Sequence, residues 1–274
     1  VSTNISQPVK AERFLALHRR GDPLLMPNAW DLGSAAMLAW LGFQALATTS
    51  SGHAATLGRL DGAVTRDEAL AHAAALSQAT ELPVSADLEN CFADDPDGVA
   101  DTINKARDAG LAGCSIEDYS GQLDSVYELG LARERVVAAA EVAHSGRVRL
   151  VLTARAENHI RGRDDLADTI ARLQAYQEAG ADVLYAPGLT SAEDIRHVVE
   201  SVDRPVNVLA RPGAPSTAEL AALGVARVSV GGAFAFAALG ALCEAATELR
   251  ERGTYGFLER SATGARAAGR AFRR

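Results

Sequence analysis

The strongest constraint on the fold is an alternation that runs along nearly the whole chain. Short apolar, β-branched stretches at 24–28, 45–49, 83–90, 113–118, 149–157, 182–187, 205–209 and 226–230 are each followed by a stretch with helical patterning. Those helical stretches cover 31–42, 65–80, 95–109, 131–144, 164–178, 192–200 and 217–223, and an eighth opens at Gly231-Gly232. A further helix over 10–20 precedes the first strand. Several helices run into a glycine just ahead of the next strand, as at Gly42, Gly110 and Gly180. Strand–helix repetition implies a parallel sheet, and eight repeats closed on themselves imply an α/β fold of the (β/α)8 TIM-barrel type. The alternative is an open doubly wound sheet, but the Gly-x-Gly-x-x-Gly turn of a dinucleotide fold is missing after the first strand. The expectation is therefore one barrel domain over 1–274, with an N-terminal helix in front and a basic, Ala-rich helical tail behind.

Two connections interrupt the rhythm. The stretch from Ser50-Ser51-Gly52-His53 to about Val64 reads as irregular, and so does 119–130. Long loops in a compact domain usually carry function. Asp31 is placed to cap the helix that follows it, and Thr65 with Glu68 forms a capping box.

Composition removes several classes of partner. The formal net charge is −8 and basic residues form no long run, which argues against nucleic acid. No apolar stretch approaches the ~20 residues a membrane span needs. The first residues lack the basic and apolar regions of a secretory leader. Cys91, Cys114 and Cys243 are an odd count at scattered spacing, matching neither a disulfide framework nor a zinc site. A cytoplasmic protein with reduced thiols is expected.

The chemistry gathers at one end of the expected barrel. Active sites of such barrels lie at the C-terminal ends of the strands. Those ends carry Asp31, the Ser50-Ser51-Gly52 loop, Asp61, Asp87 with Glu89, Glu117, Arg155 with Glu157, and Asn207. Asp87 and Glu89, two apart on a strand, are expected on one face, where they repel unless a cation sits between them. An all-oxygen cluster with water suits Mg²⁺, with Mn²⁺ a second possibility. His53 and His159 lack partners at zinc-ligand spacing. Arg155 is the natural carboxylate clamp, and the Ser50–Gly52 stretch offers hydroxyl and N–H donors to an anion. Metal, arginine and N–H cradle together describe a site for a 2-oxo acid whose enolate the cation stabilises as a Lewis acid.

Asn28-Ala29-Trp30-Asp31-x-x-Ser34, Thr49-Ser50-Ser51-Gly52, Asp61, Ala86-Asp87-Leu88-Glu89, Ser115-Ile116-Glu117-Asp118, Ala154-Arg155-Ala156-Glu157 and Ala179-Gly180-Ala181-Asp182 occur in this order. Over most of residues 10–245 this order and spacing resemble the isocitrate lyase/phosphoenolpyruvate mutase superfamily. The resemblance implies a barrel whose last helix is swapped between subunits of a homodimer or homotetramer. It implies Mg²⁺ held through Asp61, Asp87, Glu89 and Glu117, mostly by way of waters. It places the substrate, a small 2-oxo or 2-hydroxy carboxylate, against Trp30, Asp31, Ser50, Ser51, Gly52, Arg155 and Asn207. Arg155, Glu117 and Asp61 are the residues expected nearest the reaction itself.

Two departures from the family pattern stand out. Asp-x-Asp followed by a glycine-rich turn is here Asp87-Leu88-Glu89-Asn90-Cys91, one methylene longer with the oxygen ligand kept. The Lys-x-Cys-Gly-His segment that the family's lyases carry after strand four is here Tyr119-Ser120-Gly121-Gln122-Leu123-Asp124-Ser125-Val126-Tyr127, without Lys, Cys or His. The Lys and Asn of the phosphonate mutases are missing there too. The expected activity is a Mg²⁺-dependent making or breaking of a C–C bond next to a 2-oxo acid, of lyase or decarboxylase type. The alternatives are a phosphonate-forming mutase and a 2-oxo acid binding protein with reduced catalysis.

Overall fold

The computed structural model describes residues 5–273. In chain order its elements are α1 (Gln7–Ala16), β1 (Leu24–Met26), β2 (Asn28–Ala29), α2 (Leu32–Trp40), β3 (Leu46–Thr48), α3 (Ser50–Thr56), α4 (Arg66–Ala79), β4 (Val84–Asp87), α5 (Pro96–Asp108) and β5 (Gly113–Glu117). There follow β6 (Tyr119–Ser120), β7 (Ser125–Val126), α6 (Leu129–Ala143), β8 (Val151–Arg155), α7 (Leu166–Glu178), β9 (Val183–Tyr185), α8 (Ala192–Glu200), β10 (Val206–Leu209), α9 (Thr217–Ala222), β11 (Arg227–Ser229), α10 (Ala233–Arg252) and α11 (Leu258–Ala271).

Nine strands form one parallel sheet in the order β1-β11-β10-β9-β8-β5-β4-β3-β2. β1 and β2 are two halves of one barrel strand. Pro27 lies between them and has no N–H to give a ladder, so Leu24–Met26 pair with β11 while Asn28 and Ala29 pair with β3. The expected (β/α)8 barrel is thus present and closes through this split strand. Asn28 stitches the seam: its Nδ2 donates to the Thr48 carbonyl at 2.6 Å, and its Oδ1 accepts from the N–H groups of Val230 and Gly231.

Period-two alternation sorts the strands into two faces. Val84, Cys114, Ile116, Leu152, Ala154, Val206, Val208 and Val228 are buried in the apolar core cluster that continues into the helices. Their neighbours Ser85 and Asp87, Ser115, Thr153 and Arg155, Asn207, and Arg227 and Ser229 line a cavity inside the ring. Barrel interiors are usually filled by branched apolar side chains; this one is polar and leaves room. The lower end is stopped by α1, whose Phe14 is fully buried and lies so close to Gly113 that a Cβ there would stand 2.9 Å from its ring and 2.6 Å from the Val151 carbonyl.

Helix starts follow the expected capping chemistry. Asp31 accepts from the Ser34 N–H at 2.6 Å in a reciprocal box, and Thr65 with Glu68 makes a second. Three expectations are corrected. The stretch after β3 is not irregular from Ser50: Thr49 caps α3 by accepting from the Gly52 N–H. The first helix starts at Gln7, with Pro8 in its first turn, and ends at Ala16, well short of residue 20. The long connection after β5 folds back as the β6/β7 hairpin. The C-terminal tail is helical, as α11, and packs on α2.

Candidate active site

β4 ends at Asp87, so Glu89 does not share its strand face by simple alternation. Glu89, Cys91 and Phe92 all take left-handed backbone, with φ of 51°, 60° and 56°. Non-glycine residues hold that conformation only where their surroundings fix it. Here the carbonyls of the turn are pinned: Glu89 by the Glu117 N–H, Cys91 by the Thr102 hydroxyl, Asn90 and Ala93 by the buried Arg135 guanidinium. Arg135 also donates to the Glu117 carbonyl. One side chain of α6 therefore holds both acid-bearing turns, and the Glu89 carboxylate still comes beside Asp87 and Asp61.

At the centre lies Arg155, at the end of β8. Its Nη1 meets Asp87 at 2.8 Å, its Nη2 meets Glu117 at 3.0 Å and its Nε meets Glu157 at 2.9 Å. Burial works against its charge, but the Glu157, Glu117 and Asp87 carboxylates hold it above the usual guanidinium range. Part of the positive charge that the sequence led us to expect between the acids is thus this arginine. Arg161, on the turn after β8, stands 3.7 Å from both Glu117 and Glu157, its guanidinium 3.5 Å above the Tyr119 ring. Five carboxylates (Asp61, Asp87, Glu89, Glu117, Glu157) face two guanidinium groups. Burial pushes Glu117 well up against the pull of Arg155. Burial, then the charges of Asp87 and Asp61, push Glu89 up to about 7. The cluster is short of positive charge.

Two cavities meet at Arg155. The outer one, about 610 Å³, is lined by Asp61, Glu89, Asn90, Asp94, Glu117 and Arg161 among others. The inner one, about 190 Å³, runs down the barrel axis past Asp87, Tyr185, Asn207, Arg227 and Ser229. Ser50, Asp61 and Arg155 belong to both. The Ser50 N–H donates to Asp87 at 3.1 Å. Ser51 abuts Gly232, where a Cβ would lie 2.6 Å from its hydroxyl. Gly52 is wedged so that a Cβ would meet Thr49 at 2.5 Å and Trp30 at 3.1 Å. The start of α3 is thereby held beside both Trp30 and the first turn of α10.

Not every expected residue reaches the cavities. Asp31 is spent on its helix cap, and Trp30 gives its carbonyl to His72 at 3.0 Å; neither lines the two cavities at Arg155. Asn207 does line the inner one, but it already donates to Ser229 and accepts from Arg227. His53, on α3, stacks on His72 of α4 with ring centroids 3.8 Å apart. Cys91 and Cys114 are fully buried, and burial pushes the Cys91 thiol up to about 12, which makes it inert. Arg161 had a legible signal, four residues beyond Glu157 in the chain. Tyr185 and Arg227 had no comparable signal: Arg227 stands two residues from Ser229, but Tyr185 has only Ala181, Val183, Pro187 and Leu189 at that spacing.

The divalent cation that the sequence implies can be tested against these groups. Among the described residues no three His, Cys, Asp or Glu side chains converge tightly enough to ligate one ion directly. Asp61, Glu89 and Glu117 instead surround a cavity with room for waters. Mg²⁺ keeps several waters and takes one or two carboxylates, so the donor set and its charge deficit fit it.

A sequence model of the phosphoenolpyruvate phosphomutase family matches residues 14–250. The chain belongs to that family. Within this frame, a crystal structure from Burkholderia cenocepacia J2315, its activity described only as lyase/mutase, superposes with a TM-score of 0.93 at 52% identity, over 97% of each chain. The 2-methylisocitrate lyase of Halalkalibacterium halodurans is 32% identical over 212 residues, covering 73% of this chain and 67% of the enzyme. A crystal structure of 2,3-dimethylmalate lyase, a phosphoenolpyruvate mutase/isocitrate lyase superfamily member, matches with a TM-score of 0.81 at 26% identity, over 92% of this chain and 90% of that one. The resemblance read from the short tracts of sequence is confirmed.

Proposed function

We propose that the protein is a Mg²⁺-dependent lyase that cleaves a C–C bond next to a 2-oxo or 2-hydroxy carboxylate. The observation that carries this reading is the Arg155 junction, where a carboxylate clamp, a charge-deficient acid cluster and a buried cavity meet. The 2-methylisocitrate and 2,3-dimethylmalate lyases among its relatives support cleavage as the reaction. Asp61, Asp87, Glu89 and Glu117 would hold the cation, which supplies Lewis-acid polarisation of the substrate's oxygens. Arg155 and the Ser51 N–H at the start of α3 would hold the substrate carboxylate. In cleavage of a 2-hydroxy carboxylate the hydroxyl proton would pass to a carboxylate of this cluster, the carbon that bore it would become the 2-oxo group, and the electron pair of the broken bond would stay on the other fragment.

The fragment released needs a proton. Tyr119 and Tyr127, on the β6/β7 hairpin, are committed to Asp124 and Asp94. Tyr185, whose hydroxyl bonds Ser229 and no carboxylate, lines the inner cavity with its ring centre 5.4 Å from the Arg155 guanidinium, and burial pushes it up to about 12. It keeps its proton at neutral pH, so it acts only as a donor. The phosphonate-forming alternative draws on the family description; ³¹P NMR of a phosphoenolpyruvate incubation showing no P–C product removes it. The test of the main reading is incubation with 2,3-dimethylmalate, 2-methylisocitrate and oxaloacetate, followed by ¹H NMR. A 2-oxo acid product that appears with Mg²⁺ and stops with EDTA is expected. No turnover of any of them, with tight ligand binding retained, would leave a 2-oxo acid binding protein.

Assembly belongs to this reading. α10 keeps only Ala235 buried, while Phe234, Phe236, Leu239 and Leu242 stay exposed on it. We take this apolar face of α10 as the contact with a second copy in a homodimer or homotetramer.

A further inference from the structure

Arg227 is 3% exposed, inside the barrel near its floor, and the reaction described above does not use it. Its Nε donates to Asn207 at 3.0 Å, its Nη2 to Thr153 at 3.0 Å, and its Nη1 lies 3.1 Å from His18 Nε2. The other ring nitrogen of His18 meets the Phe14 carbonyl at 2.8 Å. Since that oxygen only accepts, His18 Nδ1 carries the hydrogen and Nε2 accepts from Arg227. All three partners of the guanidinium are therefore neutral. Among the described residues no carboxylate forms an ion pair with it, whereas Arg155 one layer above has three. Three of its five N–H groups are used, which leaves two to donate. Burying a lone cation is expensive unless an anion joins it, and burial pulls this guanidinium down to about 9.

The second observation is the space above it. Arg227 closes the inner cavity, whose lower wall is made of the Ser85, Ser115 and Thr153 hydroxyls where a barrel ordinarily packs branched apolar groups. Thr153 and Arg155 both face that cavity from β8, two residues and so roughly 7 Å apart along the strand, which a dicarboxylate of about four or five carbons can bridge. The geometry points to Arg227 as the clamp for the distal carboxylate of a 2-oxo dicarboxylate, held at the barrel floor by the guanidinium and the hydroxyls. This rests on the reading of Arg155 as the clamp for the first carboxylate, and it makes a second negative charge on the substrate the specificity element.

Two ligands of equal length separate the ideas: 2-oxoglutarate, and 2-oxopentanoate, which ends in a methyl group instead. Calorimetry with Mg²⁺ present is expected to show 2-oxoglutarate at least tenfold tighter on the wild-type protein. Arg227→Gln should bind 2-oxopentanoate within about twofold of wild type and lose the advantage for 2-oxoglutarate. Equal affinities on the wild type, or an advantage that survives Arg227→Gln, would overturn the floor site and leave the Arg155 reading standing. Binding of neither acid would remove both. Should Arg227→Gln not fold, Ser115→Leu fills the floor without touching the charge; it is expected to cost 2-oxoglutarate its advantage, and full retention would again overturn the proposal.

Discussion

At the scale of single residues, function depends on which buried polar groups are satisfied and by what. Tyr185 is the protonated phenol in the inner cavity, so Tyr185→Phe is expected to lower kcat by about 100-fold with KM little changed; a fall in affinity with kcat retained would make it a binding residue instead. His18 is buried neutral between Phe14 and Arg227, and burial, then the Arg227 charge, depress it from 6.5 to about 3. The unfolded chain therefore takes up the proton first. Stability is complete above about pH 6.5 and falls as pH drops toward 3, by up to on the order of 5 kcal/mol. Urea unfolding of His18→Gln, which can still donate to Phe14 and accept from Arg227, is expected to show a flatter pH dependence between 7 and 5 than wild type. An unchanged slope would contradict that assignment. Much at this scale could be read from sequence: Asp87, Glu89, Glu117, Asp61 and Arg155 were each named by type and position at a strand end. Arg227 and Tyr185 were not, because inside a barrel strand an Arg or Tyr looks like an outlier until its neighbours are known to face the same cavity.

At the scale of elements, alternation and capping made the barrel legible, and local backbone geometry did not follow from them. The Asp87/Glu89 pair was expected to share a strand face, yet the strand stops at Asp87 and the turn is held left-handed by tertiary contacts that lie far off in sequence. Small residues made Ser50–Thr56 look like loop; the Thr49 cap turns it into a helix whose first N–H, from Ser50, bonds Asp87. Arg135 is the element-level device, since it ties the β4 turn to β5 from α6. Arg135→Lys keeps the charge and loses the fork. The expected outcome is a loss of about 2–3 kcal/mol in stability, from charge-assisted bonds to carbonyls, with a weaker Mg²⁺ affinity measured by titration. Loss of stability with Mg²⁺ affinity intact would separate the pin from the site.

At the scale of the whole molecule, the chain combines a parallel barrel, a polar interior and a helix, α10, with exposed apolar side chains. No helix among the described residues is long and apolar enough to cross a membrane. Replacing both Phe236 and Leu242 by Glu is expected to convert the assembly to monomers by light scattering, and a wild type already monomeric would contradict the inferred oligomer. The central claim is that the acids around Arg155 form, with a divalent cation, one site for a 2-oxo acid. Calorimetric titration of oxalate with Mg²⁺ and then with EDTA tests it most directly. The account expects oxalate to bind at least tenfold more tightly with Mg²⁺, and Glu89→Ala to abolish that gain; equal affinity with and without Mg²⁺, or a gain that survives Glu89→Ala, would contradict it.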